Sequence, residues 1–190
     1  MILPKRPPRR TFITRGLASV ALTSILEGQA LPTVSARNPV LADRDRLGEK
    51  HMIGVSLADF KVSSSETKGG LFVMENKYER KGGPPRHYHR NEDEWIYVLE
   101  GTFIAEIDGE QFTLGPGDSS LILRRKVHAY AFTGAGKGRV LVAFSPGGEM
   151  EESFRSFQDR NGAYTRWDDP KEVERARRFG MEMVGPPLSV

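Results

Sequence analysis

The 190-residue sequence contains no cysteine, only four histidines and no long apolar segment. The lack of cysteine excludes a disulfide scaffold, an iron–sulfur or zinc–thiolate site and a cysteine nucleophile. The apolar segment 16–26 is shorter than the roughly 20 residues that a bilayer-spanning helix needs. With 38% apolar and 28% charged residues, the chain resembles neither a disordered nor a collagen-like protein. Its length fits one ordinary domain, or one domain with an appendage.

The sequence also lacks a large excess of charge of one sign. Its 28 Lys and Arg residues against 25 Asp and Glu residues give a net charge of +3, and the pI is near 9.2. Taken alone, these values would favour weak nucleic-acid binding. However, five basic residues and one acidic residue precede Arg37, which leaves 23 basic and 24 acidic residues and a net charge of −1. We therefore expect no nucleic-acid partner.

The first 36 residues have the order of an export signal. Basic residues come first, the 11 uncharged residues 16–26 follow, and a polar stretch ends at Ala36. The pair Arg9-Arg10 before apolar residues resembles the twin-arginine export signal, with general secretion as the alternative. We expect a signal peptide at 1–36, export of the precursor by the twin-arginine machinery, and a location in the bacterial periplasm or outside the cell. No stable membrane anchor is expected after cleavage.

Short strand-like runs separated by Gly, Pro and Asp occur from about His51 to Ser145 and predict one β-domain over 51–158. Regularly spaced short strands indicate a sandwich or barrel, and Asp108-Gly109 between two such runs predicts a tight hairpin. Residues 37–50 contain few apolar side chains and are predicted to form a mobile or wrapping N-terminal arm.

Two short helices are expected after the strands. Met150, Phe154 and Phe157 have helical spacing and predict a helix over 149–158. Asp169-Pro170 predicts the beginning of a second helix, over 171–179, and Gly180 predicts its end. We therefore interpret 159–190 as a C-terminal helical tail whose last residues are extended.

The histidines carry the chemistry. His87 and His89 are two residues apart, so on a strand both side chains point to one face. The polar tip that follows can turn the chain and bring Glu94 back beside them, and His128 can add a fourth ligand from a distant strand. Nitrogen and oxygen ligands in this mixture suit Fe, Mn, Ni, Co, Cu or Zn. The alternative is a surface turn with a hydrogen-bonded strand histidine, and a structural role is also favoured for His51.

The stretch GGPPRHYHRNEDEWIYVLEG, residues 82–101, resembles the first conserved motif of the cupins. That motif has a glycine, the two histidines, four residues, a glutamate, six residues and a glycine. A second cupin motif begins at Gly117 and keeps His128, but Leu123, Arg125 and Phe132 replace its usual Pro, Gly and Asn. The ending RRFGMEMVGPPL resembles endings of small quercetinase-like cupins.

The resemblance implies an all-β fold, a small antiparallel β-barrel with short C-terminal helices and one divalent transition metal at its mouth. By family analogy its ligands are His87, His89, Glu94 and His128. Three neutral imidazoles and one carboxylate would leave a divalent site at +1, with two octahedral positions open. Cupins of this size are commonly homodimers, so a homodimer is also expected.

Four further side chains share the predicted inward faces of Glu94 and His128. These are the expected pocket residues Ile96, Val98, Tyr130 and Phe132, with simple core filling as the alternative. Trp95 and Tyr97 are expected on the opposite face of their strand. The basic residues at 124–126 indicate either a clamp for an anionic substrate or, preferably, a solvated turn.

The resemblance implies a metal-dependent dioxygenase that acts on a small aromatic or enolic substrate. In that hypothesis Glu94 is both ligand and catalytic base, and it removes a proton from a phenolic or enolic hydroxyl. The alternatives are a non-catalytic periplasmic protein that binds a small molecule or metal, and a lyase or isomerase that does not use O2.

Overall fold

The computed structural model describes residues 38–157 and 166–190. The predicted signal peptide at 1–36 lies outside the described residues. Within the described part of the chain, the helices are too short or too polar to cross a lipid bilayer. The strands are β1 (His51–Ile53), β2 (Ser56–Val62), β3 (Phe72–Tyr78), β4 (Pro85–His89), β5 (Asp93–Glu100), β6 (Phe103–Ile107), β7 (Glu110–Leu114), β8 (Ser119–Ile122), β9 (His128–Phe132), β10 (Gly138–Ser145) and β11 (Met181–Pro187).

The strands form two antiparallel sheets, which confirms the predicted all-β class. One sheet has six strands in the order β1-β2-β3-β10-β5-β8, and the other has five in the order β11-β4-β9-β6-β7. The chain thus forms two sheets rather than a single closed ring of strands. One large apolar cluster draws side chains from strands of both sheets, so the sheets pack through their inner faces.

Strand β5 shows why the sequence specifies its two faces. Glu94, Ile96 and Val98 are buried, whereas Trp95 is 36% exposed and Tyr97 is partly exposed. This alternation follows from the two-residue period of a strand. The Trp95 and Tyr97 rings lie on the outer face, as predicted, with their centroids 5.6 Å apart.

The predicted hairpin at Asp108-Gly109 joins β6 to β7. Both residues have positive φ, +49° and +86°, and Ile107 pairs with Glu110 across the turn. A two-residue hairpin turn needs this left-handed backbone to match the twist of its strands, and Asp-Gly adopts it readily.

The helices α1 (Met150–Arg155) and α2 (Pro170–Arg178) agree with the two predicted helical segments. The Asp169 side chain caps α2 and accepts a hydrogen bond from the Lys171 backbone N–H. Proline stands at the first helical position, where its missing N–H has no partner to lose.

The last part of the predicted tail over 159–190 is extended and forms a paired strand. After Gly180, whose φ is +77°, the chain forms β11 and pairs with β4 along the edge of the five-stranded sheet. Two prolines are tolerated there because an edge strand does not need every N–H for pairing. Residues 158–165, which include the beginning of the predicted tail, lie outside the described residues.

The N-terminal arm wraps against β2, which agrees with the wrapping form of the prediction. One carboxylate oxygen of Asp45 accepts the Phe60 backbone N–H at 2.6 Å, and the other accepts the Leu47 N–H at 2.7 Å. Arg46 forms an ion pair with Glu66. Leu47 packs against the main core, so the arm belongs to the folded domain.

The loop before β4 passes against β9 at Gly83, a glycine of the first motif. A Cβ atom at this position would lie 1.8 Å from the backbone oxygen of Tyr130 and 2.9 Å from Cα of Ala131. The position excludes every side chain because the obstructing atoms belong to the backbone of a buried strand.

We predict that Gly83→Ala lowers the free energy of unfolding by about 3 kcal/mol, since overpacking against rigid backbone forces strands apart. Urea denaturation of the variant measures this change. Gly115→Ala is the matched control, because its Cβ would meet only an Asp118 side-chain oxygen at 3.8 Å. Equal stability of the two variants would contradict the argument.

Candidate metal centre

The four predicted ligands come from three strands in two sheets. His87 and His89 lie on β4, His128 begins β9, and Glu94 lies on β5. His87 pairs directly with His128 between β4 and β9 in the five-stranded sheet, whereas β5 belongs to the six-stranded sheet. The chain turns after His89 and brings Glu94 back beside the histidines, but β4 and β5 belong to different sheets. The backbone of β4 is hydrogen-bonded to β11 and β9. The loop between β4 and β5 therefore crosses from the five-stranded sheet to the six-stranded sheet.

The ligand side chains converge on one point. One potential ligand atom from each of the four residues lies within 4.8 Å of all the others, and all four residues are buried. Oxygen Oε2 of Glu94 lies 3.1 Å from Nε2 of His89 and 2.9 Å from Nε2 of His128. The ring centroids of His87 and His128 are 4.3 Å apart. The reading of these histidines as a surface turn is therefore wrong.

Backbone carbonyls orient two of the three imidazoles. Nδ1 of His87 donates to the Pro85 carbonyl at 2.8 Å, and Nδ1 of His128 donates to the Lys126 carbonyl at 2.9 Å. These bonds place the proton on Nδ1 and leave the Nε2 lone pair free to bind a cation. Nδ1 of His89 is buried and has no hydrogen-bond partner within the described part of the chain.

Burial and mutual charge set the protonation of the site. Burial lowers the pKa of His87 well below its ordinary value, and the neighbouring His128 and His89 lower it further. Burial also lowers the pKa of His128, but the Glu94 carboxylate outweighs it and raises the net pKa. Burial raises the pKa of Glu94, yet His128 and His89 hold the net pKa well below its usual range. The carboxylate is therefore ionised at neutral pH.

This donor set fits a divalent transition metal. Three imidazole nitrogens and one ionised carboxylate oxygen converge in a buried site, where a carboxylate needs a positive partner. The ligand types admit Fe, Mn, Ni, Co, Cu or Zn. His51, the fourth histidine, lies elsewhere and stacks on Phe60 with the ring centroids 3.8 Å apart.

The loop before His128 is held by a backbone hydrogen bond although its sequence departs from the cupin motif. Arg125 stands where the motif has glycine and adopts a left-handed φ of +66°. Its backbone N–H donates to the His89 carbonyl at 2.7 Å, which ties this loop to the other histidine strand. A hydrogen bond to backbone can offset part of the strain of a left-handed non-glycine residue.

The basic residues of this loop point away from the ligands. Arg124 forms an ion pair with Asp93 at 2.9 Å, and Lys126 forms one with Asp108 at 2.6 Å. None of the three basic residues at 124–126 lines the cavity beside the ligands. The solvated turn is therefore the better interpretation of this segment.

A cavity lies between the sheets beside His87 and Glu94. It leaves about 40 Å³ for the centres of water-sized molecules, and by the same measure one water needs roughly 10–15 Å³. Of the four predicted pocket residues, Tyr130 lines the cavity. Ile96, Val98 and Phe132 do not line this cavity, which agrees with the core-filling alternative. They point inward as expected, but they are packed into the apolar core.

Several cavity residues lie outside both motifs. The walls include Asn76 and Tyr78 of β3 and Met181 and Met183 of β11. The sequence pattern could have identified Asn76 as a candidate site residue, because it is polar and lies between Met74 and Tyr78 on the inward face of a strand. No comparable signal marks the two methionines, since their position follows from the pairing of β11 with β4.

The sequence of residues 75–144 matches the cupin domain family. The match spans 70 of the 190 residues, and the two antiparallel sheets are consistent with a cupin fold. The match covers all four ligands and agrees with the resemblance of the two motifs. No curated protein matches the chain in sequence.

Three solved cupin-like structures illustrate the similarity. KdgF from Halomonas sp. is 25% identical, with 48% of this chain and 79% of that chain covered and a TM-score of 0.44. A predicted oxalate decarboxylase from Thermotoga maritima is 18% identical, with 47% and 79% covered and a TM-score of 0.46. The polyketide cyclase RemF from Streptomyces resistomycificus is 20% identical, with 52% and 73% covered and a TM-score of 0.45.

We predict that the chain binds one divalent transition metal ion and that His87→Ala or His128→Ala weakens binding by at least about 100-fold, since each removes a ligand. Equilibrium dialysis followed by metal analysis measures the affinity. His51→Asn is the matched control, because it alters an equally buried histidine outside the cluster. Undiminished binding in both ligand variants would place the metal elsewhere.

Proposed function

We propose that the chain is a metal-dependent dioxygenase that acts on a small phenolic or enolic substrate. The observation that supports this proposal is the position of Glu94. Its carboxylate contacts two of the three clustered histidines and also lines the cavity. A base in that position reaches both the metal ligands and any molecule in the cavity.

A redox-active divalent metal, which Zn is not, held by the four ligands would supply Lewis acidity and the redox chemistry that O2 requires. Glu94 would accept the proton of the substrate hydroxyl. Its pKa is held low by His128 and His89 against the effect of burial, so it becomes an effective base only when substrate binding loosens those contacts. The apolar walls would exclude water from the reacting groups.

The size of the cavity favours a small substrate. The cavity leaves only about 40 Å³ for the centres of water-sized molecules, so a one-ring molecule displaces the walls less than a three-ring flavonol would. The quercetinase-like resemblance therefore supports the reaction type more strongly than it supports a flavonol substrate.

We predict that the metal-loaded protein consumes O2 with at least one member of a panel of catechols, enols and flavonols. Glu94→Gln should retain part of the metal and lower turnover by about 100- to 10,000-fold, because it removes the base. An oxygen electrode and metal analysis give the two values. Glu92→Gln is the matched control, since Glu92 is another buried carboxylate but stands outside the cluster.

The outcomes separate the alternatives. Bound metal without O2 uptake on any substrate would contradict the dioxygenase and favour a binding protein or a non-oxidative lyase or isomerase. Normal turnover of Glu94→Gln would show that Glu94 is not the base.

We further propose that the precursor is exported by the twin-arginine route, with Arg9-Arg10 as the recognition element. Because that route carries folded proteins, the metal would be loaded before export.

We predict that changing Arg9 and Arg10 together to lysine keeps the uncleaved precursor inside the cell, since the paired arginines are the signal that is read. Cell fractionation and the mass of the exported chain, expected to begin at Arg37, measure the result. Lys5→Arg is the control. Unchanged export of the double variant would favour general secretion.

A further inference from the structure

The Asn76 side chain lies in the cavity wall with half of its amide unsatisfied. Asn76 is 2% exposed, and its Nδ2 donates to the Tyr130 hydroxyl at 3.3 Å. Its Oδ1 is buried and has no hydrogen-bond partner among the residues that the structure describes. Buried acceptors in folded proteins are nearly always paired, so an unpaired one calls for an explanation. An apolar side chain at position 76 would avoid the free-energy penalty of a buried, unpaired acceptor.

The amide is held in a fixed position. The Tyr130 hydroxyl, which accepts from Asn76, is also hydrogen-bonded to Tyr78. Both tyrosine rings are buried, and the Tyr78 ring packs edge-on against Phe103 with the centroids 5.4 Å apart. An amide oxygen that is fixed in this way can discriminate between ligands, because it cannot reorient when a ligand offers it no hydrogen-bond donor.

The charges of the cavity restrict what could reach that oxygen. Among the described residues that line the cavity there is no lysine or arginine, and Glu94 is the only acidic one. A negatively charged group placed away from the metal ligands would therefore be buried without a counter-charge, which is unfavourable. The remaining partner for an amide oxygen is an uncharged hydrogen-bond donor.

We infer that Asn76 determines substrate specificity by accepting a hydrogen bond at Oδ1 from a hydroxyl of a small uncharged substrate. This inference rests on the proposed function, because the substrate uses the same cavity and places its other oxygen at the four-ligand centre. A molecule without the second hydroxyl would shield the amide oxygen from water and leave it unpaired, which weakens binding.

The test measures binding rather than turnover. The mature protein is loaded with Co²⁺, and its visible spectrum is followed during anaerobic titration with catechol, resorcinol, hydroquinone and their monomethyl ethers, with phenol as the reference. We expect at least one dihydroxybenzene to bind about 10- to 100-fold more tightly than its ether. Asn76→Leu should reduce this ratio to about 1 and leave Co²⁺ content and phenol affinity unchanged.

Ser56→Ala is the matched control. Ser56 lines the same cavity, but its hydroxyl donates to the Ile53 carbonyl at 3.0 Å, so its removal should keep the ratio. Tyr130→Phe serves as a second variant if Asn76→Leu does not fold, because it removes the group that fixes the amide, and it should lower the ratio several-fold. An undiminished ratio in the folded variants, or no preference in the unaltered protein, would overturn the inference.

The result is separable from the dioxygenase test. No O2 uptake together with a ratio lost in Asn76→Leu would contradict the dioxygenase and support the role of Asn76. Normal O2 uptake with an undiminished ratio would support the dioxygenase and contradict the role of Asn76.

Discussion

The carboxylate of Glu94 joins the two sheets through a charged contact in the interior. It belongs to the six-stranded sheet, and its two nearest imidazoles, His89 and His128, belong to the five-stranded sheet. An ionised carboxylate is stable in such a place only if positive or hydrogen-bonding groups surround it. The spacing of the sheets, the apolar packing around them and the geometry of the ligands therefore depend on one another.

Backbone contacts maintain that spacing on the side of the five-stranded sheet. Gly83 allows the chain before β4 to lie directly against β9, and the Arg125 N–H binds the His89 carbonyl. Carbonyls at Pro85 and Lys126 then orient the rings. Ligand geometry thus comes mainly from main-chain hydrogen bonds, which explains how a loop that has lost the usual Pro and Gly of its motif still delivers His128.

The sequence predicted most of the strands and the ligand set, because strand alternation and ligand spacing are local properties. The inward face of β5, the Asp108-Gly109 hairpin and the helix that begins after Asp169 are confirmed. Whether an inward side chain meets core or cavity depends on the opposite sheet, so the sequence left both environments open for Ile96, Val98 and Phe132, which lie in the core. The pairing of β4 with β11 could not be predicted from local sequence pattern either, since the residues of β11 follow those of β4 by about 100 positions.

That late partner has a consequence for the order of events during synthesis. Strand β11 holds the outer edge of β4, the strand of His87 and His89, and its methionines close one wall of the cavity. A growing chain emerges from its N-terminus, so the outer edge of β4 stays unpaired until the residues of β11, about 100 positions later, have been made. The strand that carries two of the four clustered side chains is therefore completed later than the strands that face it.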